Sequence, residues 1–506
     1  MPTTKPNHPS YFPLLFLLIT SAVLMLFGSM ASPLFPLHTG VDQNTFLTVG
    51  RAMCEGDVLY RDIFEQKGPL LYVLHALAYR IDSGGFFGVY LLEVLSFWGY
   101  LLLLRKIAAE FVSDSAALAA SALSGWLTVI SYAFSRGDNA EEFCLPLLAI
   151  GLLGLIRYTE SDRDIPLFAV SLLAGACAGC VLWIKFTMLG FYIAWVLCVF
   201  CIALRRGGIK TALLAVGEFL LGMLLATLPW LLYFLWHNAL YSLWEVYFYA
   251  NIFLYSGQTT LLSRVLSVFT KDFLWNPPLF LSIVIGICWI LRAPLPIKKE
   301  TRISITAIWF GLYFFLFVGG TRYRYYFLIM ALFSVFGFLA LLRPLAERTH
   351  RRGAVPLICT AGLLCTVLFG NCAGSYLIPA AEYPQYQFAE QMGEGASVLN
   401  YRFLDGGFYL AAQAPLPDTR YPLTVNIPRE NLPAQFDEQD QLIETAAVDY
   451  VITRYRLDGD PEGKEPPCAA LEENYTLIFE TEDGANREGA RTYGYCLYQK
   501  KEKGGV

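Results

Sequence analysis

Apolar runs follow one another from Phe12 to about Pro379, separated only by short charged gaps. A helix needs roughly 17–25 mainly apolar residues to cross the hydrocarbon core. Runs at 12–35, 86–104, 114–134, 143–157, 166–184, 186–204, 211–236, 278–292, 303–319, 325–342 and 354–376 meet or approach that length. The spacing therefore predicts about eleven spans, the fourth and eighth being short. The opening MPTTKPNHPS is too polar for the front of a signal peptide, so the first run is expected to be retained as a helix.

From Ala380 onward the pattern changes to that of a soluble domain. VDYVITRY (448–455) reads as a buried strand, and YTLIFETED and TYGYCLYQK as later ones. FDEQDQLIETAA reads as a helix leading into the first strand, so the segment is expected to be a small α/β module. No glycine fingerprint for a nucleotide is present, and a role in support or recognition at the membrane surface follows.

Charge orients the spans. With the N-terminus inside, the cytoplasmic gaps hold Arg105–Lys106, Arg157 with Arg163, Arg205–Arg206 with Lys210, Lys298–Lys299 and Arg343 with Arg348. The opposite gaps are poorer in Lys and Arg, the positive-inside pattern. An odd number of spans then places 380–506 outside, with the loops 36–85, 135–142, 237–277 and 319–324. The composition agrees: 56% hydrophobic and only 16% charged, where soluble domains carry roughly 25%. A formal charge of -5 with no basic stripe excludes nucleic acid as the expected partner. The twelve cysteines form no framework. Cys177 and Cys180 read as helix packing, while Cys468 and Cys496 are placed where an exported domain could pair them.

Three outward segments carry unusual residues. GVDQNTFLTVGRAMCEGDVLYRDIFEQKGPLLYVLHAL (40–77) gathers Asp42, Glu55, Asp57, Asp62, Glu65 and Lys67 directly after the first span. Charge is expensive at membrane depth, so the cluster is expected to face water. Phe46, Leu47, Gly50 and Met53 recur at helical spacing, which predicts an amphipathic helix lying on the membrane with Asp42 near its N-cap. Lys67-Gly68-Pro69 punctuates the following turn. SRGDNAEEFCLPLL (135–148) brings Asp138, Glu141 and Glu142, and GGTRYRYYFLIM (319–330) brings Arg322 and Arg324. Singly, these would be helix caps or snorkelling anchors.

Acids on two loops and cations on a third, all on one side, suit glycosyl transfer from a lipid phosphate. A carboxylate accepts the proton of the attacking hydroxyl or amine, and cations or a metal stabilise the departing phosphate. The donor's apolar tail explains why such chemistry would sit at a membrane.

The run D-x-x-x-F-x-x-x-G-R-x-M-x-x-G-x-x-L-Y-R-D-x-F-x-x-K-G-P-L-x-Y resembles the first external loop of the C-type (GT-C) glycosyltransferases. The similarity is to the family 39-like bacterial branch, related to protein O-mannosyltransferases and the aminoarabinose transferase of lipid A. The resemblance implies Asp42 as catalytic base, with Gln43 where relatives often carry a second acid. It implies that Lys67-Gly68-Pro69-Leu70 shapes the site loop. N-A-E-E-F-C-L-P is similar to that branch's second acidic loop and implies Glu141 or Glu142 as second acid. Arg324 stands where relatives often show histidine, which with Arg322, Lys67 and Lys185 gives the candidate contacts to a donor phosphate. Some members hold a divalent metal on these acids, here Asp42 and Glu141 if one is bound.

The expectation is thus an α-helical polytopic membrane protein with a GT-C-like catalytic domain over 1–379 and an extracytoplasmic α/β domain over 380–506. It would move a sugar from a polyprenyl-phosphate donor to an extracytoplasmic envelope acceptor, with inversion. A transporter or lipid flippase, or a non-catalytic envelope assembly protein, are the alternatives. The first of these would use carboxylates deep in spans, of which Glu93 and Glu218 are found.

Overall fold

The computed structural model describes residues 11–254, 272–318, 323–346, 362, 364–457, 468–482 and 493–502. Arg322 lies outside them, as do parts of the 237–277 and 319–324 loops and of the expected 354–376 span. The described chain is mostly helical, with one small sheet. It begins with α1 (Phe12–Gly28), α2 (Val41–Glu55), α3 (Pro69–Ile81), α4 (Phe87–Ala109), α5 (Asp114–Ile130), α6 (Ala140–Glu160), α7 (Phe168–Lys185) and α8 (Gly190–Trp236). Two compact units are distinguished: residues 1–29, 91–228 and 258–373 in the first, and 30–90, 229–257 and 374–506 in the second.

The first unit is a bundle of apolar helices. Phe87–Ala109, Phe168–Trp236 and Arg324–Arg343 are long and apolar enough to cross a membrane, and α1, α5 and Pro277–Arg292 are shorter apolar helices. Phe168–Trp236, at 69 residues, is too long for one crossing. A 3-10 turn at Phe186–Leu189 and a break at Gly208, whose φ is 84°, divide it into the three runs expected from the sequence. Leu213, Leu214, Leu220 and Leu224 of α8 are exposed, as hydrocarbon-facing side chains would be. Elsewhere backbones approach closely through glycine. A Cβ on Gly337 would lie 2.2 Å from the Ser282 carbonyl oxygen, so the Pro277–Arg292 and Ser334–Ala346 helices cross there only because that side chain is absent.

The second unit contains the sheet, in the order β1-β2-β4-β3: β1 Val398–Asn400, β2 Tyr450–Arg456, β3 Tyr475–Glu482 and β4 Tyr493–Lys500. β1 runs parallel to β2; the other pairs are antiparallel. The expected strands and the helix, observed as Ala434–Glu444, are all present, and short β1 is the addition. Alternate residues feed two apolar layers, with Ile452 and Leu497 on one and Val451 and Cys496 on the other. That is why VDYVITRY reads as apolar without a polar face. Cys468 and Cys496 are not joined by a disulfide, so the pairing considered from sequence is not made.

α2 departs from expectation. It starts at Val41 with Asp42 in its first turn, but every residue from Gln43 to Ala52 is buried. Gly50 packs against the backbone of His75 and Ala76 in α3, and Thr48 donates to the Gly406 carbonyl. The helix is enclosed within its own unit rather than laid on a lipid surface, because the C-terminal segment covers the face that the sequence pattern left open.

Candidate active site

In the second unit the Lys67-Gly68-Pro69 turn ends the loop after α2 and starts α3, with Pro69 at its first position. This brings Lys67 Nζ to 3.7 Å from Asp42 Oδ2 and 5.4 Å from the centre of the Phe46 ring. Both side chains of the pair keep partial solvent access, 20% for Lys67 and 29% for Asp42.

The Lys67 peptide is fixed from both ends. Its N–H donates to Tyr72 Oη at 3.2 Å, and its carbonyl accepts from Tyr60 Oη. Tyr72 in turn donates to Glu65 Oε2 at 3.1 Å, and Asn251 holds the Gln66 carbonyl at 2.8 Å. Glu65 was expected to face water with the rest of the charged cluster, but it is 3% exposed. Burial pushes its carboxyl above the ordinary range, opposed by the Lys67 charge and the Gln66 N–H. Asp62, by contrast, is held below the usual carboxylate range by its bonds with Arg61. The apparent cluster therefore separates into a buried anchor, a half-open pair and outer partners such as Arg51–Glu55.

α2 itself is clamped by a segment 360 or so residues away. Asn44 Nδ2 donates to Asp405 Oδ1 at 2.9 Å, and Arg51 Nη1 to the Tyr409 carbonyl at 3.2 Å. Arg420 donates to the Tyr60 carbonyl and pairs with Glu245 at 2.7 Å. Tyr60 and Tyr72 stand in the loop motif, but sequence reasoning assigns them no role; it passes over Asp405 and Arg420, because their partners Asn44 and the Tyr60 carbonyl lie some 360 residues away.

In the first unit Glu141 and Glu142 occupy the first turn of α6, and both are buried. Glu141 pairs with Lys185, at the end of α7, whose Nζ lies 3.7 Å from the centre of the Tyr326 ring and 5.2 Å from that of Tyr325. Three of the four oxygens of Glu141 and Glu142 accept no hydrogen bond from the described residues. Arg324 stacks on Tyr132 at 4.2 Å. The turn before α6 is unusual, with positive φ at Ser135, Gly137 and Asp138. Glu93 holds it, accepting from the Asp138 N–H at 2.6 Å and from Ser29 Oγ at 2.7 Å. This carboxylate within α4 is thus engaged in shaping the turn that precedes the paired glutamates.

Among the described residues no three His, Cys, Asp or Glu side chains gather as metal ligands. The half-open acid, Asp42, faces a lysine, which competes with a cation for it. The described groups do not fit a bound divalent metal.

A helical membrane bundle joined to such loops defines the class. The chain has the fold of the C-type glycosyltransferases. ArnT from Cupriavidus metallidurans in the apo state is similar over 96% of this chain and 97% of its own, with TM-score 0.64 and 12% identity. ArnT bound to undecaprenyl phosphate gives TM-score 0.62, 12% identity, and 96% and 98% coverage. Arabinofuranosyltransferase AftD from Mycobacteria matches at TM-score 0.51 and 14% identity, over 97% of this chain and 42% of AftD. Residues 6–354 match the family described as "Putative competence-induced protein Ccs4 N-terminal domain", and the chain belongs to that family. No curated protein matches it by sequence.

Proposed function

We propose that the protein is a membrane glycosyltransferase that moves a sugar from a polyprenyl-phosphate-linked donor to an extracytoplasmic acceptor of the cell envelope. The observation that carries this reading is the half-open Asp42–Lys67 pair, built on a turn fixed by buried Tyr60, Tyr72 and Glu65. An exposed ion pair alone would be worth little. A pair held in place by buried partners has the rigidity that a catalytic base and an adjacent cation require.

In this reading Asp42 takes the proton from the acceptor hydroxyl or amine as that atom bonds to the sugar's anomeric carbon. The bond from that carbon to the phosphate oxygen breaks, and polyprenyl phosphate leaves with the electron pair. Lys67 releases Asp42 and offsets the charge on the departing phosphate. Attack opposite the leaving group inverts the configuration. Lys185, Arg322 and Arg324 are further candidates for the phosphate, and Glu141 or Glu142 for the second acid. Undecaprenyl phosphate in the ArnT structure supports a lipid phosphate as donor. We also propose eleven spans, a cytoplasmic N-terminus, and the division into a transmembrane domain over 1–379 and an extracytoplasmic domain over 380–506.

The test supplies purified protein in lipid with a panel of radiolabelled polyprenyl-phosphate sugars and envelope extract, comparing wild type with Asp42→Asn. Transfer by wild type, reduced by about 10²–10⁴-fold in the folded variant, is expected for a general base. Equal transfer by both removes Asp42 from the chemistry. Absence of transfer from every donor, with the protein folded, overturns the reading.

A further inference from the structure

The membrane-spanning helix Phe168–Trp236 ends on Trp236, and its last residues, 229–236, belong to the second unit. The chain then turns at once. Asn238 takes a positive φ of 53°, and the Ala239 N–H donates to the Phe234 carbonyl at 2.7 Å. Helical turns resume at Leu240–Ser242 and continue as Leu243–Leu254. Three intervening residues reach about 11 Å at most, so this second helix starts close to the end of a span. That is the depth of the bilayer interface, where Trp and Tyr collect because each has an apolar body and a polar tip.

The composition suits that depth. Residues 240–254 hold six aromatic side chains and neither Lys nor Arg. Their one acid, Glu245, is paired with Arg420 at 2.7 Å. Two faces separate. Leu243, Val246, Tyr247 and Ala250 are buried within the unit. Tyr241, Trp244, Tyr249, Ile252 and Phe253 are exposed, Phe253 by 62%, and Trp236 joins them at 85%. An open apolar and aromatic face of this kind marks a contact with lipid or protein. Its start at the end of a span favours lipid, and its lack of cations means that anionic headgroups are not what it recognises.

The buried face reaches the candidate active site. The Tyr247 ring lies nearly parallel to that of Tyr60, at 9° and 6.3 Å between centres. Asn251 holds the Gln66 carbonyl at 2.8 Å, and Arg420, paired with Glu245, donates to the Tyr60 carbonyl at 2.8 Å. Tyr60 in turn holds the Lys67 carbonyl. We propose that the face carrying Trp236, Tyr241, Trp244 and Phe253 inserts into the interfacial layer of the bilayer, while the opposite face of the same helix fixes the Lys67 turn at that surface. The interfacial position expected of Val41–Glu55 thus falls to a different helix. The test needs no sugar transfer, so this proposal stands or falls apart from the catalytic reading.

The full chain is reconstituted in phosphatidylcholine nanodiscs with the photoreactive residue benzoylphenylalanine placed singly at Trp244, at Phe253 or, within the span, at Leu232. All three side chains are exposed, so each exchange leaves the core intact. Illumination followed by peptide mass spectrometry is expected to show lipid adducts at all three positions. Adducts at Leu232 alone would overturn the proposal, as would adducts from Trp244 and Phe253 to a second copy of the chain. Yields should agree within about twofold between phosphatidylcholine and phosphatidylglycerol, since the face carries no cation. Adducts only with the anionic lipid would overturn this neutral mode of insertion. Hydrogen exchange across residues 58–68 reads the link to the turn. Trp244→Asp/Phe253→Asp should raise it about tenfold in nanodiscs, as loss of an anchoring contact does. Unchanged exchange in that variant would overturn the link.

Discussion

Lys67 Nζ stands 3.7 Å from the Asp42 carboxylate, although the two residues lie on opposite sides of an entire helix and loop. The lysine backbone is held by two buried tyrosines, so the ammonium's reach is set by the fold and not by the flexible side chain alone. Replacing Lys67 with Met should lower transfer by about 10²–10³-fold, as removal of one electrostatic stabiliser does. Lys67→Arg should recover part of it. Steady-state rates with a single donor check both, and wild-type rates in the methionine variant would remove Lys67 from the site.

Glu65 supplies a pH prediction. Its carboxyl is raised from the ordinary glutamate value of 4.5 by burial. The folded state therefore binds the proton more tightly than the unfolded chain. Its contribution to stability is full below the unfolded value and is lost as pH rises through the folded one. Glu65→Gln should remove this component. Thermal unfolding of both proteins from about pH 4 to 7 should show the wild type losing stability relative to the variant as pH rises. Parallel curves would refute it.

Gly406 lies against α2. A Cβ there would come within 2.2 Å of Thr48 Oγ1 and 2.6 Å of the Asn44 carbonyl oxygen. Gly406→Ala should destabilise the unit by about 1–3 kcal/mol, the usual cost of overpacking. Because α2 carries Asp42, transfer should fall as well. Calorimetry on the variant checks the first effect, and an unchanged transition would show that the contact yields easily.

The Glu141–Lys185 pair is buried on both sides, at 0% and 10% side-chain exposure. Glu141→Gln strands the lysine charge and should cost about 3–5 kcal/mol. The double variant Glu141→Gln/Lys185→Met should restore most of that stability while leaving the site without the cation. Melting temperatures of wild type, Glu141→Gln, Lys185→Met and the double variant decide, since a structural pair shows this non-additivity and two independent residues do not.

The sequence by itself determined the membrane bundle, because apolar runs of spanning length have no other stable home. It also determined the strands of the C-terminal sheet, of which the central β2 and β4 are mostly buried while the edge strand β3 is mostly exposed. The turn at Lys67-Gly68-Pro69 was legible for a similar local reason, since its glycine and proline punctuate the chain. Only the tertiary structure decided which charges are buried. Glu65 reads like its neighbours in the chain, yet Tyr72 and the surrounding apolar residues take it out of water. Asp405 and Arg420 read as surface residues of a soluble domain, yet they hold Asn44 and the Tyr60 carbonyl. Hydrophobic periodicity reports how a segment meets an average environment. It does not report which distant segment supplies that environment, and a buried ion or hydrogen bond exists only when both have been placed.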